Sequence, residues 1–233
     1  MKKTIVAVLL VLVAACASAP PKTAAPMRTD LENRELAAIL SANPYQPSAR
    51  MAGWADIQTP TGWMHAKTAV VVNRPHNLKV TLFDPFGSAW FMALANDRNI
   101  FYAAPNGGVR SLLPRKEGHP IKIGGFSVNP DDIIMNISPG IEAQSLEGAK
   151  MVFRKNGLHL QQEGVSRDLE FDAEKRLIKS VVVRYGQAPL RVTYAYGPAD
   201  LTVQLNSDLR FRFSRVERMD EIPEGFFDVP AGE

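Results

Sequence analysis

Apolar and polar residues alternate along most of the chain between residues 50 and 217. The segments 78–82 (LKVTL) and 209–213 (LRFRF) show this period of two, which is typical of strands with one dry and one wet face. Gly, Pro and Asn separate the segments, so short turns and one large curved sheet or barrel are expected. The predicted strands are 50–57, 65–73, 77–83, 88–95, 99–104, 108–113, 149–154, 157–163, 167–172, 176–185, 189–196, 200–205 and 209–217.

Two segments carry helix signals instead. Thr29 and Glu32 have the spacing of a capping box, and the helix that follows is ended by the Asn-Pro pair at 43–44. In the segment 129–137 an asparagine cap, a proline at the first helical position and two aspartates precede a run of isoleucine and methionine. Because each helix is short and apolar on one side, both are expected to lie over the dry face of the sheet.

The first third of the predicted sheet contains an excess of large or soft apolar side chains. In the strand 88–95 both faces are apolar. Two interpretations are open: ordinary core packing on both sides of the sheet, or a dry cavity for acyl chains, to which methionine and aromatic side chains are suited. The candidate cavity residues, taken from these strands and from the second helix, are Trp54, Trp90, Met92, Leu94, Ile133, Ile134 and Met135.

The N-terminus has the pattern of an export signal. Two lysines precede an apolar run over 5–15, which is far shorter than the roughly 20 residues needed to span a bilayer. The small residues directly before Cys16 resemble the lipobox of bacterial lipoproteins, which implies that Cys16 is acylated and serves as a lipid anchor. We therefore expect a lipoprotein signal peptide at 1–15, a lipidated cysteine with an Ala/Pro-rich tether at 16–29, and one domain at 30–233.

Charge and cysteine content narrow the function further. The chain has 27 Lys and Arg against 24 Asp and Glu, and loss of Lys2 and Lys3 with the signal peptide would leave 25 against 24. That balance argues against nucleic acid as a partner, because nucleic-acid-binding domains usually carry a basic stripe. Cys16 is the only cysteine, so the domain cannot form an internal disulfide.

The sequence offers no constellation for catalysis or metal binding. The four histidines, His65, His76, His119 and His159, lack the spacing of a metal site. The acidic pair 131–132 is better suited to a helix start than to catalysis. A hydrolase would need a nucleophile, a base and oxyanion donors, which we cannot assemble. We therefore expect no enzyme activity, no cofactor and no metal.

The stretch Asp84-Pro85-Phe86-Gly87-Ser88 has the residue types of a type I turn. It would set Phe86, a bulky aromatic residue, at the third position of a tight turn. Two interpretations are open. Phe86 inserts reversibly into a neighbouring membrane, where burial of its ring would contribute about 2 kcal/mol, or it folds back over the sheet edge as part of the core.

An anchored chain with a leading helix, about a dozen strands, a helical cover and this turn resembles the LolA/LolB superfamily of lipoprotein carriers. The resemblance implies a mainly β (α+β) fold: an antiparallel unclosed half-barrel of about eleven strands, with a short helical lid over a hydrophobic cavity for acyl chains. In the LolB branch the matching turn reads Asn-Pro-Leu-Gly-Ser, and its protruding leucine helps to deliver lipoproteins. Here the matching residues are Asp84, Pro85, Phe86 and Gly87, with Phe86 in the place of that leucine.

The resemblance also implies partners and a location. Acylated lipoproteins, a soluble periplasmic carrier and outer-membrane lipid are the expected partners of a monomer that transfers its cargo without covalent chemistry. Ala17 is not the aspartate associated with inner-membrane retention, so the periplasmic face of the outer membrane is the expected location. The alternative is a lipid- or lipoprotein-sensing or envelope-assembly module of the same fold that delivers nothing.

Overall fold

The described part of the chain in the computed structural model consists of one large antiparallel sheet, a separate hairpin and two α-helices. The structure describes residues 29–104, 109–115, 121–123, 126–162, 164–185 and 189–229. The predicted signal peptide, Cys16, the tether as far as residue 28, and His119 lie outside these ranges. The α-helices are α1 (Asp30–Ala42) and α2 (Pro130–Asn136), and a 3₁₀ turn covers Gln144–Leu146.

The strands are short and follow one another closely along the chain. Their bounds are β1 (Ser48–Thr59), β2 (Gly62–Asn73), β3 (Asn77–Phe83), β4 (Ala89–Ala95), β5 (Asn99–Ala104), β6 (Val109–Pro114), β7 (Ile121–Ile123), β8 (Phe126–Val128), β9 (Lys150–Arg154), β10 (Gly157–Gln162), β11 (Val165–Phe171), β12 (Ile178–Arg184), β13 (Leu190–Tyr196), β14 (Leu201–Leu205) and β15 (Leu209–Arg218). The hairpin of β7 and β8 stands apart from the main sheet.

The main sheet has thirteen strands in the order β6-β5-β4-β3-β2-β1-β15-β14-β13-β12-β11-β10-β9. Every pair is antiparallel, and only the pairing of β1 with β15 joins strands that are distant in sequence. The edge strands β6 and β9 do not pair with each other, so the sheet is unclosed. The expected fold class is therefore confirmed, with thirteen strands in the sheet instead of about eleven.

Both helices lie on the inner face of the sheet, which we define as the face that carries the main core. Leu36 and Ile39 of α1 belong to the same buried cluster as Ile133 and Ile134 of α2 and the inward side chains of the strands. The predicted helix starts are confirmed: a capping box joins Thr29 and Glu32, and the Asn129 side chain accepts a hydrogen bond at the start of α2. Burial of these apolar stripes, rather than helix propensity, is the main source of stability for helices this short.

A second, smaller cluster lies on the opposite, outer face of the sheet. It consists of Leu94, Phe101 and Ala103, with Met92 and Val229 packed against it. The C-terminal segment reaches this face, where the Asn96 side-chain amide donates a hydrogen bond of 3.1 Å to the Phe227 carbonyl. This cover explains why β4 is apolar on both faces.

Arg74 fastens α2 to the rest of the fold. It is buried after the end of β2, and its guanidinium donates hydrogen bonds to the carbonyls of Ile134 (2.8 Å), Gln46 (3.1 Å) and Ser138 (2.9 Å) and to the Ser138 hydroxyl (2.8 Å). The Tyr45 ring covers the same group at 5.2 Å. Since carbonyls at a helix end have no partner within the helix, this one side chain satisfies groups that burial would otherwise penalise.

Candidate functional site

One end of the sheet carries Phe86 together with two further exposed aromatic side chains. Because neighbouring strands are antiparallel, the β1–β2 turn (residues 60–61), the β3–β4 turn (residues 84–88) and the junction after β12 all lie at the same end of the strands. We call this end the rim. Three exposed aromatic side chains lie along it: Trp63 (54% exposed), Phe86 (92% exposed) and Tyr185 (36% exposed).

The β3–β4 turn holds Phe86 out from the rim. The Asp84 carboxylate accepts hydrogen bonds of 2.9 Å from the backbone N–H groups of Phe86 and Ser88, and the Gly87 N–H donates to the Asp84 carbonyl. Gly87 has a φ of +88°, a backbone conformation that favours glycine. A rigid turn therefore presents an almost fully exposed ring, and the prediction that Phe86 could fold back into the core is wrong.

A cleft of 480 Å³ opens between α2 and the rim ends of β11 and β12. We call it the lid cleft. Met135, Val165, Val183 and Tyr185 supply most of its apolar wall. Its volume lies within the roughly 300–1,000 Å³ of ordinary small-ligand sites, which combine apolar walls with placed polar groups. The polar side chains that line it are Asn129, Asp131, Asp132, Asn136 and Arg167. The lid cleft therefore meets the general requirements of a site for an apolar ligand.

A smaller hollow of 50 Å³ lies deeper on the same inner face. We call it the inner hollow. Its wall includes Tyr45, Glu142 and Tyr194, and it shares Met135, Asn136 and Arg167 with the lid cleft. The Tyr194 hydroxyl donates to the Asn136 carbonyl at 2.8 Å, and burial raises the pKa of Tyr194, so this group is a neutral donor throughout the physiological range. These contacts fix the C-terminal end of α2 over the sheet.

Two carboxylates at the start of α2 also line the lid cleft. Asp131 forms an ion pair with Arg115, whose guanidinium also donates to the Asn96 carbonyl at 2.6 Å. Asp132 has no such partner among the described residues. Burial, and next the charge of Asp131, raise the pKa of Asp132 from 3.8 to about 6. The wall of the lid cleft therefore gains the negative charge of Asp132 as the pH rises through 6.

Asp132 should make the stability of the fold depend on pH. Since its pKa is raised in the folded state, the folded chain holds this proton more tightly, and stability falls as the pH rises from about 4 through 6. After discounting for partial exposure, the penalty above pH 6 is about 1–2 kcal/mol. We expect Asp132→Asn to raise the free energy of unfolding by that amount at pH 8 and to leave it unchanged at pH 4. Urea unfolding at both pH values measures this, and an equal effect at pH 4 and pH 8 would contradict it.

Four of the seven predicted cavity residues lie on or near the inner face. Met135 lines both the lid cleft and the inner hollow. Ile133 and Ile134 are packed in the main core, where they hold α2 down and do not line the lid cleft. Trp90 packs against the edge of the same core, beside Phe91, and is also absent from the lid cleft.

The other three predicted cavity residues have to be corrected, because they lie on the outer face. Trp54 is 40% exposed there, stacked on His65 at 4.6 Å with the Lys67 ammonium 5.8 Å from its ring. Met92 and Leu94 lie in the small outer cluster under the C-terminal segment. None of the three faces the lid cleft.

The sequence analysis missed Arg167 and Tyr185 and did not assign a role to Trp63. Arg167 follows Val165 and precedes Leu169 in an alternating strand, so the pattern alone places a charged residue on an apolar face. Tyr185 follows directly after β12, where a rim position is expected. No group of three or more His, Cys, Asp or Glu that could hold a metal occurs among the described residues. None of the helices described is long and apolar enough to cross a membrane.

Two solved structures show a distant likeness to this chain. One is a domain from Vibrio parahaemolyticus described as an outer membrane lipoprotein-sorting protein, with 8% identity and a TM-score of 0.43 over 84% of this chain and 95% of that one. The other is a LolA superfamily protein from Nitrosomonas europaea, with 13% identity and a TM-score of 0.46 over 82% of this chain and 96% of that one. The sequence matches no family model and has no significant match among curated proteins. The function of this chain is therefore best argued from its own residues.

Proposed function

We propose that this chain is a lipid-anchored envelope protein that binds acyl chains of lipoproteins in the lid cleft and passes them, without covalent chemistry, into the outer membrane. The observation that supports this most strongly is that Val165 and Tyr185 in the wall of the lid cleft lie at the rim, the same strand end that presents Phe86 at 92% exposure. A soluble carrier would supply the cargo, and the bilayer next to the rim would receive it.

The wall of the lid cleft suits an acyl chain. Val165 and Val183 provide a branched apolar surface, and Met135 provides a flexible side chain that adapts to a ligand of variable shape. Each methylene group that leaves water contributes about 0.8 kcal/mol, so even part of a chain would be held usefully. Polar side chains interrupt this wall, whereas a bilayer surrounds an acyl chain completely. Transfer from cleft to membrane is therefore favourable.

The proposed anchor is compatible with this orientation. An extended Ala/Pro-rich chain of the length from Cys16 to Thr29, where α1 is capped, would reach about 40 Å. That reach allows the domain to turn its rim toward the membrane in which Cys16 is held. The nearly neutral charge of the mature chain is consistent with attachment through lipid and exposed aromatic side chains rather than through a basic surface.

Filling the lid cleft should reduce binding. We expect Val165→Trp to weaken the affinity for a tripalmitoylated cysteinyl peptide about tenfold, because exclusion of two methylene groups removes ~1.6 kcal/mol of burial. Fluorescence titration with a labelled peptide measures the affinity, and mixing with liposomes measures delivery. The matched control is Val152→Trp, at an exposed position on the edge strand β9.

Three outcomes of this experiment are informative. Binding and delivery by the parent chain, with loss in Val165→Trp alone, would support the proposal. Binding without delivery to liposomes would favour the sensing or assembly module instead. Equal binding by the parent and both variants would show that the lid cleft is not the site.

A further inference from the structure

Arg167 lies on the inner face of β11, where the alternation along the strand predicts an apolar residue. It lies directly opposite Leu160 on β10 and Val183 on β12, both of which are buried on the inner face. Along β11 it alternates with Leu169, which is also buried. The row across the sheet is therefore apolar on both sides of one guanidinium.

The Arg167 guanidinium lies between the two hollows, and none of the described residues holds it. It lines both the lid cleft and the inner hollow. Burial lowers the pKa of Arg167, although a guanidinium stays charged at neutral pH. No hydrogen bond or ion pair to a described residue holds it, in contrast to Arg74, which donates four. A desolvated cation with open donors is costly unless a ligand satisfies them.

The charges around Arg167 indicate which kind of acceptor fits. Glu142, in the inner hollow, acts on Arg167 through space, and Asp132 lines the lid cleft with it. Asp131 is already paired with Arg115. At neutral pH these two carboxylates outweigh the single guanidinium charge, while no described residue accepts a hydrogen bond from its N–H groups. A neutral acceptor such as a carbonyl oxygen is favoured over an additional anion.

We infer that Arg167 binds an ester carbonyl oxygen at the polar end of an acylated ligand, while the acyl chain lies along Met135, Val165 and Val183 in the lid cleft. This inference rests on the proposed function, and it adds the ligand class: acyl esters, in preference to free fatty acids and simple hydrocarbons. Arg167 is thus a specificity residue that recognises the ester linkage, whereas the apolar wall of the lid cleft binds the acyl chain.

The test compares ester and ether linkages. The probes are a tripalmitoylated cysteinyl peptide, its ether-linked analogue without ester carbonyls, palmitoyl lysophosphatidylcholine and palmitic acid. The protein is the full chain with Cys16→Ser throughout, so that no lipid on the chain itself competes for the cleft. We expect the parent to prefer the ester peptide over the ether analogue about tenfold, the effect of losing one charge-assisted hydrogen bond, and Arg167→Met to abolish that preference.

A stability measurement separates ligand binding from a structural role. Replacement of a partly buried charge without a described partner by an apolar side chain that retains the stem of arginine should leave the midpoint of urea unfolding unchanged or raise it. A structural arginine would lower that midpoint. The matched control is Arg184→Met, one residue beyond Val183 on the outer face, where Arg184 is paired with Asp168. This control should keep the full ester preference.

The outcomes separate this inference from the proposed function. Loss of ester preference in Arg167→Met supports the inference. If this variant weakens binding of the ester peptide alone, the ligand is a lipoprotein. If it also weakens binding of palmitoyl lysophosphatidylcholine, the ligands are acyl esters in general. Acyl binding by the parent without an ester preference, or with the same ester preference in both variants, overturns the inference and leaves the proposed function standing. Weakened binding of palmitate alone identifies an anion site and overturns it as well. No binding of any probe by the parent overturns both.

Discussion

Replacing Arg74 with methionine is expected to lower the free energy of unfolding by about 3 kcal/mol. The substitution leaves the buried carbonyls of Ile134 and Ser138 without the guanidinium that now satisfies them, and each unsatisfied buried group costs about 1–3 kcal/mol. Methionine retains the apolar stem of arginine, so the lost hydrogen bonds of the guanidinium dominate the effect. Urea unfolding followed by circular dichroism measures the change.

The same variant should loosen α2 before it unfolds the sheet. Since Arg74 holds the end of that helix, backbone amides of α2 should exchange with deuterium faster, while those of β1 and β15 should not. The control is Arg50→Met on β1, where the side chain is exposed. If Arg74→Met is as stable as this control, the guanidinium does not hold α2 in place, and the role assigned to Arg74 is wrong.

Replacing Phe86 with glutamate is expected to weaken association with liposomes at least about thirtyfold. Burial of the ring contributes about 2 kcal/mol, and a carboxylate in its place opposes insertion further. The stability of the fold should stay the same within about 0.5 kcal/mol, because the side chain is 92% exposed. Co-sedimentation of the chain from Thr29 onward with liposomes measures the association without the proposed anchor.

The control for Phe86 is another exposed apolar residue away from the rim. Leu112 is 56% exposed on the edge strand β6, and Leu112→Glu makes a similar change in polarity and charge. We expect this variant to bind liposomes like the parent. A similar loss in both variants would mean that overall apolar surface, and not the rim, governs membrane contact. Loss of stability in Phe86→Glu would mean that the ring supports the fold.

Local signals in the sequence predicted much of the fold. Period-two alternation identified the strands of the main sheet, and the caps at Thr29 and Asn129 identified both helix starts. The hairpin of β7 and β8 was not predicted, because strands of three residues are too short to show a period. The pairing of β1 with β15 depends on contacts across most of the chain, which no local pattern encodes.

The sequence predicted only those parts of the candidate site whose structure is determined by residues close together in the sequence. The turn at Phe86 is built from Asp84 and Gly87, so its residue types were sufficient. Met92 and Leu94 were assigned to a cavity because nothing near them in sequence shows that the C-terminal segment covers them. The face of a strand follows from its alternation, but the element that packs on that face is decided by tertiary structure.

For Trp54 and Arg167 the alternation along the strand predicts the correct face of the sheet, whereas the type of the residue suggests the wrong one. Trp54 shares its face of β1 with Asp56 and Gln58, a polar set that indicates the outer face. Arg167 shares its face of β11 with Leu169 and Phe171, an apolar set that indicates the inner face. In both strands the phase of the pattern was a better guide than the chemistry of the single side chain.

The most direct test of the central claim is photo-crosslinking with a tripalmitoylated cysteinyl peptide that carries a diazirine in one acyl chain. After irradiation with the full chain, the labelled residues are mapped by mass spectrometry. An acyl chain in the lid cleft predicts label on Met135, Val165 and Val183. Label on outer-face residues such as Trp54 or Leu112, or an even distribution over the surface, would contradict the account.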